Sequence, residues 1–462
     1  MHNFIIFYPE RLISGFFIWF LCRISIGGDN LKSIWKKITT LPSFPELQEN
    51  LECEVVIIGG GISGILCAYM LKKVGINCIL LESDTICSKV TGDTTAKITS
   101  LHGFIYSYLV RHFNSELARL YYEANEDAIL EYKSLCKDID CDFELCDSYI
   151  FSLDDREKID NELKCLKNLS IDAEFTALDE LPFKSVGGIR FKNQAIFNPL
   201  KFIKEIVKGL TIYENSHVID VKGTTAITKN GSVNAKKVVF ATHFPFIDRF
   251  GFYFLKMFQS RSYVIALKGD DSLNFSGTYI DDRSKISLRN YNDLILLGGE
   301  EHRTGKKSEG WTNLEKMAEK YFPNCKIVSK WATQDCITLD KVAYIGQYSS
   351  LKKDWFVLTG YNKWGMTTSM IGAKIITDLI NEKENKYAKI FSTDRKILRK
   401  QLFVNIGEAL CGWINFKTRR CPHLGCALKW NKAEHTWDCP CHGSRFDKNG
   451  NLIKNPANKD LK

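Results

Sequence analysis

Between Cys53 and Ser83 the chain reads CEVVIIGGGISGILCAYMLKKVGINCILLES, a stretch that leaves a polypeptide little choice of fold. Val55 to Ile58 is a short β-branched apolar run of the kind buried on both faces of a parallel sheet. Gly59-x-Gly61-x-x-Gly64 follows, then a helical stretch to about Lys73, a second apolar strand from Asn77 to Leu81, and Glu82 at its end. Gly59 suits a tight turn, Gly61 lets the backbone approach a pyrophosphate at the helix N-terminus, and Gly64 lets the helix pack closely on the strand. Glu82 falls where an acid accepts from ribose hydroxyls. Strand, glycines, helix, strand and acid in this order predict a dinucleotide site. The acid disfavours a 2′-phosphate, so FAD or NAD is expected rather than NADP.

A second stretch, CPHLGCALKWNKAEHTWDCPCHGSRF from Cys421 to Phe446, holds four cysteines and three histidines. Cys421-x-His423 and Cys439-x-x-His442 offer two thiolates and two imidazoles. Each motif can form one loop with its Cys on one iron and its His on the other, as in a [2Fe-2S] cluster where two histidines replace cysteines. Zinc is the alternative, because two Cys and two His also make a tetrahedral site, although the C-x-x-C and H-x-x-x-H spacings of zinc fingers are absent. His435, the third histidine, is expected at the surface of the segment between the loops.

The bulk numbers bound what surrounds these sites. The 462 residues, 45% hydrophobic and 25% charged, suit a globular protein of two or three domains. The net charge of +9 comes from dispersed lysines without a focused patch, so nucleic acid is not an expected partner. Eleven scattered cysteines read as core thiols of a reducing, cytoplasmic compartment. The apolar run Leu12 to Cys22 is too short to span a bilayer, which takes about 20 residues. It also lacks a small-residue cleavage site. No membrane contact is expected. Gly27-Gly28-Asp29 can be encoded by a ribosome-binding-like sequence, and Leu31 follows at a distance suited to an alternative start, so residues 1–30 are expected to be an untranslated extension.

Five further stretches occur in order: TGDTTAKITSLHG (Thr91 to Gly103), IFNPLKFIKEI (Ile196 to Ile206), KKVVFATHFP (Lys236 to Pro245), WATQDCITLDKVAYIG (Trp331 to Gly346) and VLTGYNKWGMTTSMIGAKII (Val357 to Ile376). Together with the glycine loop they make residues 31–390 resemble the flavin amine oxidoreductases of the D-amino acid oxidase and glycine oxidase type. The resemblance implies FAD held by Gly59, Gly61, Gly64 and Glu82, with Thr94 and Thr95 along the flavin and a strand at His217-Val218 touching the adenine. It also implies that Gly360, Gly365, Met366 and Thr367 cap the ring. Ala241-Thr242-His243 departs from the family's Ala-Thr-Gly. CPHLGC and CPCHGS resemble the loops of Rieske domains, which implies Cys421, His423, Cys439 and His442 as ligands. The same likeness implies a Cys426–Cys441 disulfide and a Ser444 hydroxyl donating to a cluster sulfide. Phe446 replaces the usual tyrosine and removes one donor, which predicts a lower potential.

The expected fold class is therefore α/β: a Rossmann-like FAD domain with a parallel sheet (51–140, 195–245, 335–385) and an antiparallel-sheet substrate domain (141–194, 246–334). A linker (391–410) leads to a small β Rieske module (411–462). That module is short for its kind and is expected to lean on the flavoprotein. The function implied is a dehydrogenase that oxidises a small amine or amino-acid-like substrate by hydride transfer to FAD. Electrons then pass singly through the cluster to an external acceptor, a ferredoxin-like protein or the quinone pool. A reductase module running in the opposite direction, and a redox-sensing flavoprotein, remain alternatives. No catalytic residue is assigned; Arg261, Tyr263, Tyr279 and His302 are substrate-side candidates.

Overall fold

Three sheets organise the described residues, which in this computed structural model are 31–461 apart from 248–249, 270–274, 284 and 415–417. The apolar run Leu12 to Cys22 lies outside them. The first sheet is built on Asn50–Ile58, paired in parallel with Ser232–Phe240 on one side and Cys78–Leu81 on the other. Lys352–Thr359 and Thr211–Tyr213 extend it in parallel, and Tyr344–Ser349 adds an antiparallel edge. Val55, Val56, Ile57 and Ile58 are all buried because helices and loops cover both faces, which is why this strand reads as a continuous apolar run. Helix Ile62–Lys73 follows the glycine loop and packs beside helix Gly365–Ile380.

The second sheet runs in the order Lys326–Thr338, Met257–Lys268, Leu294–Arg303, Ile286–Tyr291, Gly277–Asp281, Glu144–Phe151, Gly188–Ile196, Lys97–Ile98. Its pairs are antiparallel except Gly277–Asp281 with Glu144–Phe151. Three strands depart from the expected domain limits, the first being Gly188–Ile196, which runs past the boundary at 194. Lys97–Ile98 joins this sheet by pairing with Ile196 and Ala195, and Lys326–Thr338 continues past the expected boundary at 335 because it stays paired with Met257–Lys268.

The third sheet is a four-stranded antiparallel meander: Lys429–Asn431, Thr436–Asp438, Arg445–Phe446 and Leu452–Lys454. Its core is small, with Cys421, Cys426, Leu428, Cys439, Cys441, Phe446 and Ala457 buried together. Much of the segment expected as a linker is structured: helix Lys400–Ile414 lays Leu402, Asn405 and Gly412 inward. Its outer side exposes Phe403, Val404, Leu410, Trp413 and Ile414. No helix among the described residues is long and apolar enough to cross a membrane.

Candidate active site and cluster centre

Residues of all three sheets enclose one cavity of about 1140 Å³. At its nucleotide end, Gly59 adopts φ +113°, where a Cβ would strike the Ala241 carbonyl; a Cβ on Gly64 would strike the Gly59 carbonyl. Glu82 is buried and accepts from the Gly60 amide at 2.6 Å and the Asp84 amide at 3.0 Å, which fixes its carboxylate at the cavity wall. Thr91 Oγ1 accepts from the Ile62 amide at 3.0 Å, so the segment that continues to Thr94 and Thr95 lies across the helix N-terminus.

The cavity brings together Gly59, Gly61, Glu82, Thr94, Thr95, Val218, Gly360, Gly365 and Met366. Gly64 serves packing and does not line it. Thr367 is turned away and contacts Thr99 and His102, because its place in the first turn of Gly365–Ile380 points it into the protein core. His217 and Val218 reach the cavity from a loop after Thr211–Tyr213, not from a strand.

The substrate-side candidates separate. Arg261 and Tyr263 line the cavity, whereas Tyr279 and His302 do not: Tyr279 donates to Glu180 at 3.0 Å, and His302 stacks on Tyr263 outside. Arg261 is held by Glu434 of the third sheet through Nε at 3.0 Å and a second short contact at Nη2. Residues that sequence reasoning passed over include Lys97, Trp331, Thr333, Asp335 and Lys363. Trp331, Thr333 and Asp335 share one face of their strand at period two, the alternation that finds them, whereas Arg261 and Tyr263, opposite Gln334 and Ala332, lie on the other face. Burial, then repulsion from Arg289, pushes the Lys97 ammonium down to about 7. Burial pushes the Asp335 carboxyl up to about 6. His243 sits at φ +67°, the conformation for which a glycine would be usual, and burial keeps its ring neutral, down to about 3. Its Nε2 has no partner among the described residues and the ring lines the cavity, a polar lining suited to a bound cofactor.

The two Cys/His loops close with the same pair of backbone bonds. Cys421 N–H donates to Cys426 O at 2.9 Å and Gly425 N–H to Cys421 O at 2.9 Å. Cys439 N–H donates to Ser444 O at 2.8 Å and Gly443 N–H to Cys439 O at 2.9 Å. Both glycines take positive φ, +77° and +86°. The loops place the Cys421 and Cys439 thiols in contact, so that Cys439 donates to Cys421 and holds it below the usual thiol range; the Ser444 hydroxyl and the amides of His423 and Leu424 point at the same sulfur. The His423 and His442 rings lie 5.0 Å apart, and Cys426–Cys441 is a disulfide tying one loop to the other. Two thiols ringed by N–H and O–H donors beside two imidazoles suit an anionic iron–sulfur cluster. His435 lies exposed at a turn.

The second loop is docked onto the substrate sheet. Four consecutive carbonyls accept side-chain donors: Pro440 O and Cys441 O from Arg303 at 2.9 and 3.0 Å, His442 O from Gln259 at 2.8 Å, and Gly443 O from Gln334 at 2.8 Å. Phe244 and Phe254 flank the His442 ring at 6.3 and 5.9 Å. The first loop has the opposite setting: His423 is half-buried, and the neighbouring Leu424 carbonyl accepts from Trp413 on the exposed helix at 2.8 Å.

A dinucleotide cavity roofed by an antiparallel sheet and joined to a Cys/His cluster centre defines a class: oxidoreductases that carry FAD and a Rieske-type [2Fe-2S] cluster. The chain belongs to the FAD dependent oxidoreductase family, which matches residues 54–379, and a Rieske [2Fe-2S] domain matches residues 378–462. It is 35% identical to YhfW of Bacillus subtilis (strain 168), a protein named for a Rieske 2Fe-2S iron-sulfur centre, over 93% of this chain and 97% of that one. Over 41 residues, 9% of this chain and 23% of the other, it is 51% identical to the cytochrome b6-f complex iron-sulfur subunit 1 of Nostoc sp. (strain PCC 7120). Its fold is similar to that of glycine oxidase from Geobacillus kaustophilus, with TM-score 0.64, 16% identity, and 75% of this chain and 100% of that one covered. L-proline dehydrogenase from P. horikoshii gives TM-score 0.62 at 15% identity, covering 76% of this chain and 98% of the other.

Proposed function

We propose that this oxidoreductase dehydrogenates a small amine or amino-acid-like substrate and passes the two electrons one at a time through the cluster to an external acceptor. The observation that carries this reading is the strand Met257–Lys268. Arg261 and Tyr263 on it line the cavity, while Gln259, about 13 Å back along the strand from Tyr263, grips the His442 loop. FAD, held by Gly59, Gly61, Glu82, Thr94, Thr95, Val218, Gly360, Gly365 and Met366, would accept a hydride and return electrons singly, and the cluster, on Cys421, His423, Cys439 and His442, carries one at a time.

The remaining work falls to the chain. Glu434 occupies the Arg261 guanidinium, so that charge is spent on joining the modules and not on a substrate carboxylate. Lys97, hydrogen-bonded to Ser287 Oγ, loses its proton near neutral pH and is the side chain placed to take one from a substrate ammonium. Trp311 and Trp331 also line the cavity, and the Trp311 indole N–H donates to the Trp331 carbonyl at 3.0 Å.

Anaerobic mixing with a panel of amines and amino acids tests the reading. A substrate is expected to bleach the flavin absorbance and then raise the Rieske EPR signal. Because Lys97 acts as a base only when neutral, the bleaching rate is expected to rise with pH through about 7, and Lys97→Met to flatten that rise. A flavin that no donor in the panel bleaches, but that is reduced from the cluster side, favours the reductase reading instead.

A further inference from the structure

The cavity wall opposite the glycine loop is made by the end of the cluster module. Leu452–Lys454 pairs with Arg445–Phe446, and the segment beyond it runs along the cavity, contributing Lys454, Asn455, Ala457 and Asn458 to the lining. Two anchors fix its path. Asn455 Nδ2 donates to the Thr242 and Phe244 carbonyls at 2.5 and 2.8 Å, at the end of the strand beside the glycine-loop strand. Asn458 bonds the His217 ring at 2.5 Å and donates to the Ile219 carbonyl at 3.0 Å, crossing the loop that brings Val218 to the cavity.

Lys454 points from this segment into electrostatic reach of Asp93, Lys89, Arg261 and Lys36. Three of those charges are already matched: Asp93 and Lys36 pair with each other at 2.6 Å, and Arg261 pairs with Glu434. Lys89 donates only to the Ser83 hydroxyl, at 3.1 Å. Among the described residues Lys454 and Lys89 therefore face the cavity without a close ion pair, the Asp335 carboxyl lying only within electrostatic reach of Lys454. Desolvation drives the Lys454 ammonium well below the ordinary lysine range, and an anion bound beside it would favour the charged form.

We propose that the Rieske module completes the FAD site, with Lys454 and Lys89 as the cations that meet the cofactor's diphosphate. The glycine loop supplies backbone donors from one side and the module's last strand supplies charge from the other. Flavin retention then depends on a segment outside the flavoprotein fold. The inference rests on the cofactor alone and is indifferent to which substrate is oxidised.

The test measures FAD affinity of the full-length, cluster-loaded protein by titrating reversibly deflavinated samples with FAD. Lys454→Met and Lys454→Gln are each expected to weaken FAD binding about ten- to a hundred-fold, the range for losing a charge-assisted contact. Lys454→Arg is expected to restore most of it, with iron content and the Rieske EPR signal unchanged throughout. Unchanged FAD affinity in both neutral variants overturns the proposal. So does a defect confined to substrate KM, which would move Lys454 to the substrate. If Lys454→Met loses cluster and flavin together, the Gln and Arg variants decide between charge and folding: equal FAD affinity in the two rejects the charge role.

Discussion

The two cluster loops share their hydrogen-bond pattern and a left-handed glycine, yet they live in different surroundings. The loop of Cys439 and His442 is pressed onto the substrate sheet, its carbonyls taken by Gln259, Gln334 and Arg303 and its histidine boxed by two phenylalanines. The loop of Cys421 and His423 faces outward beneath an exposed apolar helix, tied to it by Trp413. The same loop geometry thus sits in two settings set by its neighbours. One histidine is packed between Phe244 and Phe254 and the other is half-buried on the outer side; in the proposed reading the outer one serves the acceptor.

The largest expected effect abolishes the comparison. His423→Ala and His442→Ala each remove an iron ligand, so both should eliminate the Rieske EPR signal and lower turnover to a one-electron acceptor by at least about a hundred-fold, with FAD retained and still bleached by substrate. Undiminished turnover without the EPR signal would take the cluster out of the electron path. A smaller change separates the loops. Gln259→Leu leaves the His442 and Asn455 carbonyls without their donor, a cost of about 2–4 kcal/mol at one buried and one half-buried acceptor. Urea unfolding followed by cluster absorbance should register that loss, and flavin-to-cluster transfer in stopped flow should slow while steady-state KM for the acceptor holds. The smallest effect lies outside: Trp413→Ala should raise KM for a protein acceptor about three- to ten-fold and leave internal transfer untouched. Slowed internal transfer in that variant would contradict the division between inner and outer loop.

Features that depend on near neighbours in the chain were legible. The glycine loop needs only one strand, one turn and one helix, and each Cys/His loop closes within six residues, so spacing alone carries the chemistry. The docking was not legible, because Gln259, Gln334 and Arg303 stand far from the loop in sequence and are ordinary polar residues on strands. Arg261 illustrates the same limit: an arginine on a substrate sheet suggests anion binding, and only the fold reveals Glu434 as its partner. The Thr367 side chain points away from the cavity for a local reason, since the first turn of a helix presents successive side chains on different sides and Met366 takes the cavity face. His243 was visible as a departure from Ala-Thr-Gly, but its backbone kept the glycine-like conformation and its ring turned into the cavity.

The segment from Leu452 to Asp460, which walls the cavity, is synthesised after every flavoprotein strand. During translation the glycine loop and its sheet leave the ribosome with that side of the cavity still open. The nucleotide side of the site is thus synthesised first, and the wall that the cluster module adds to it comes last.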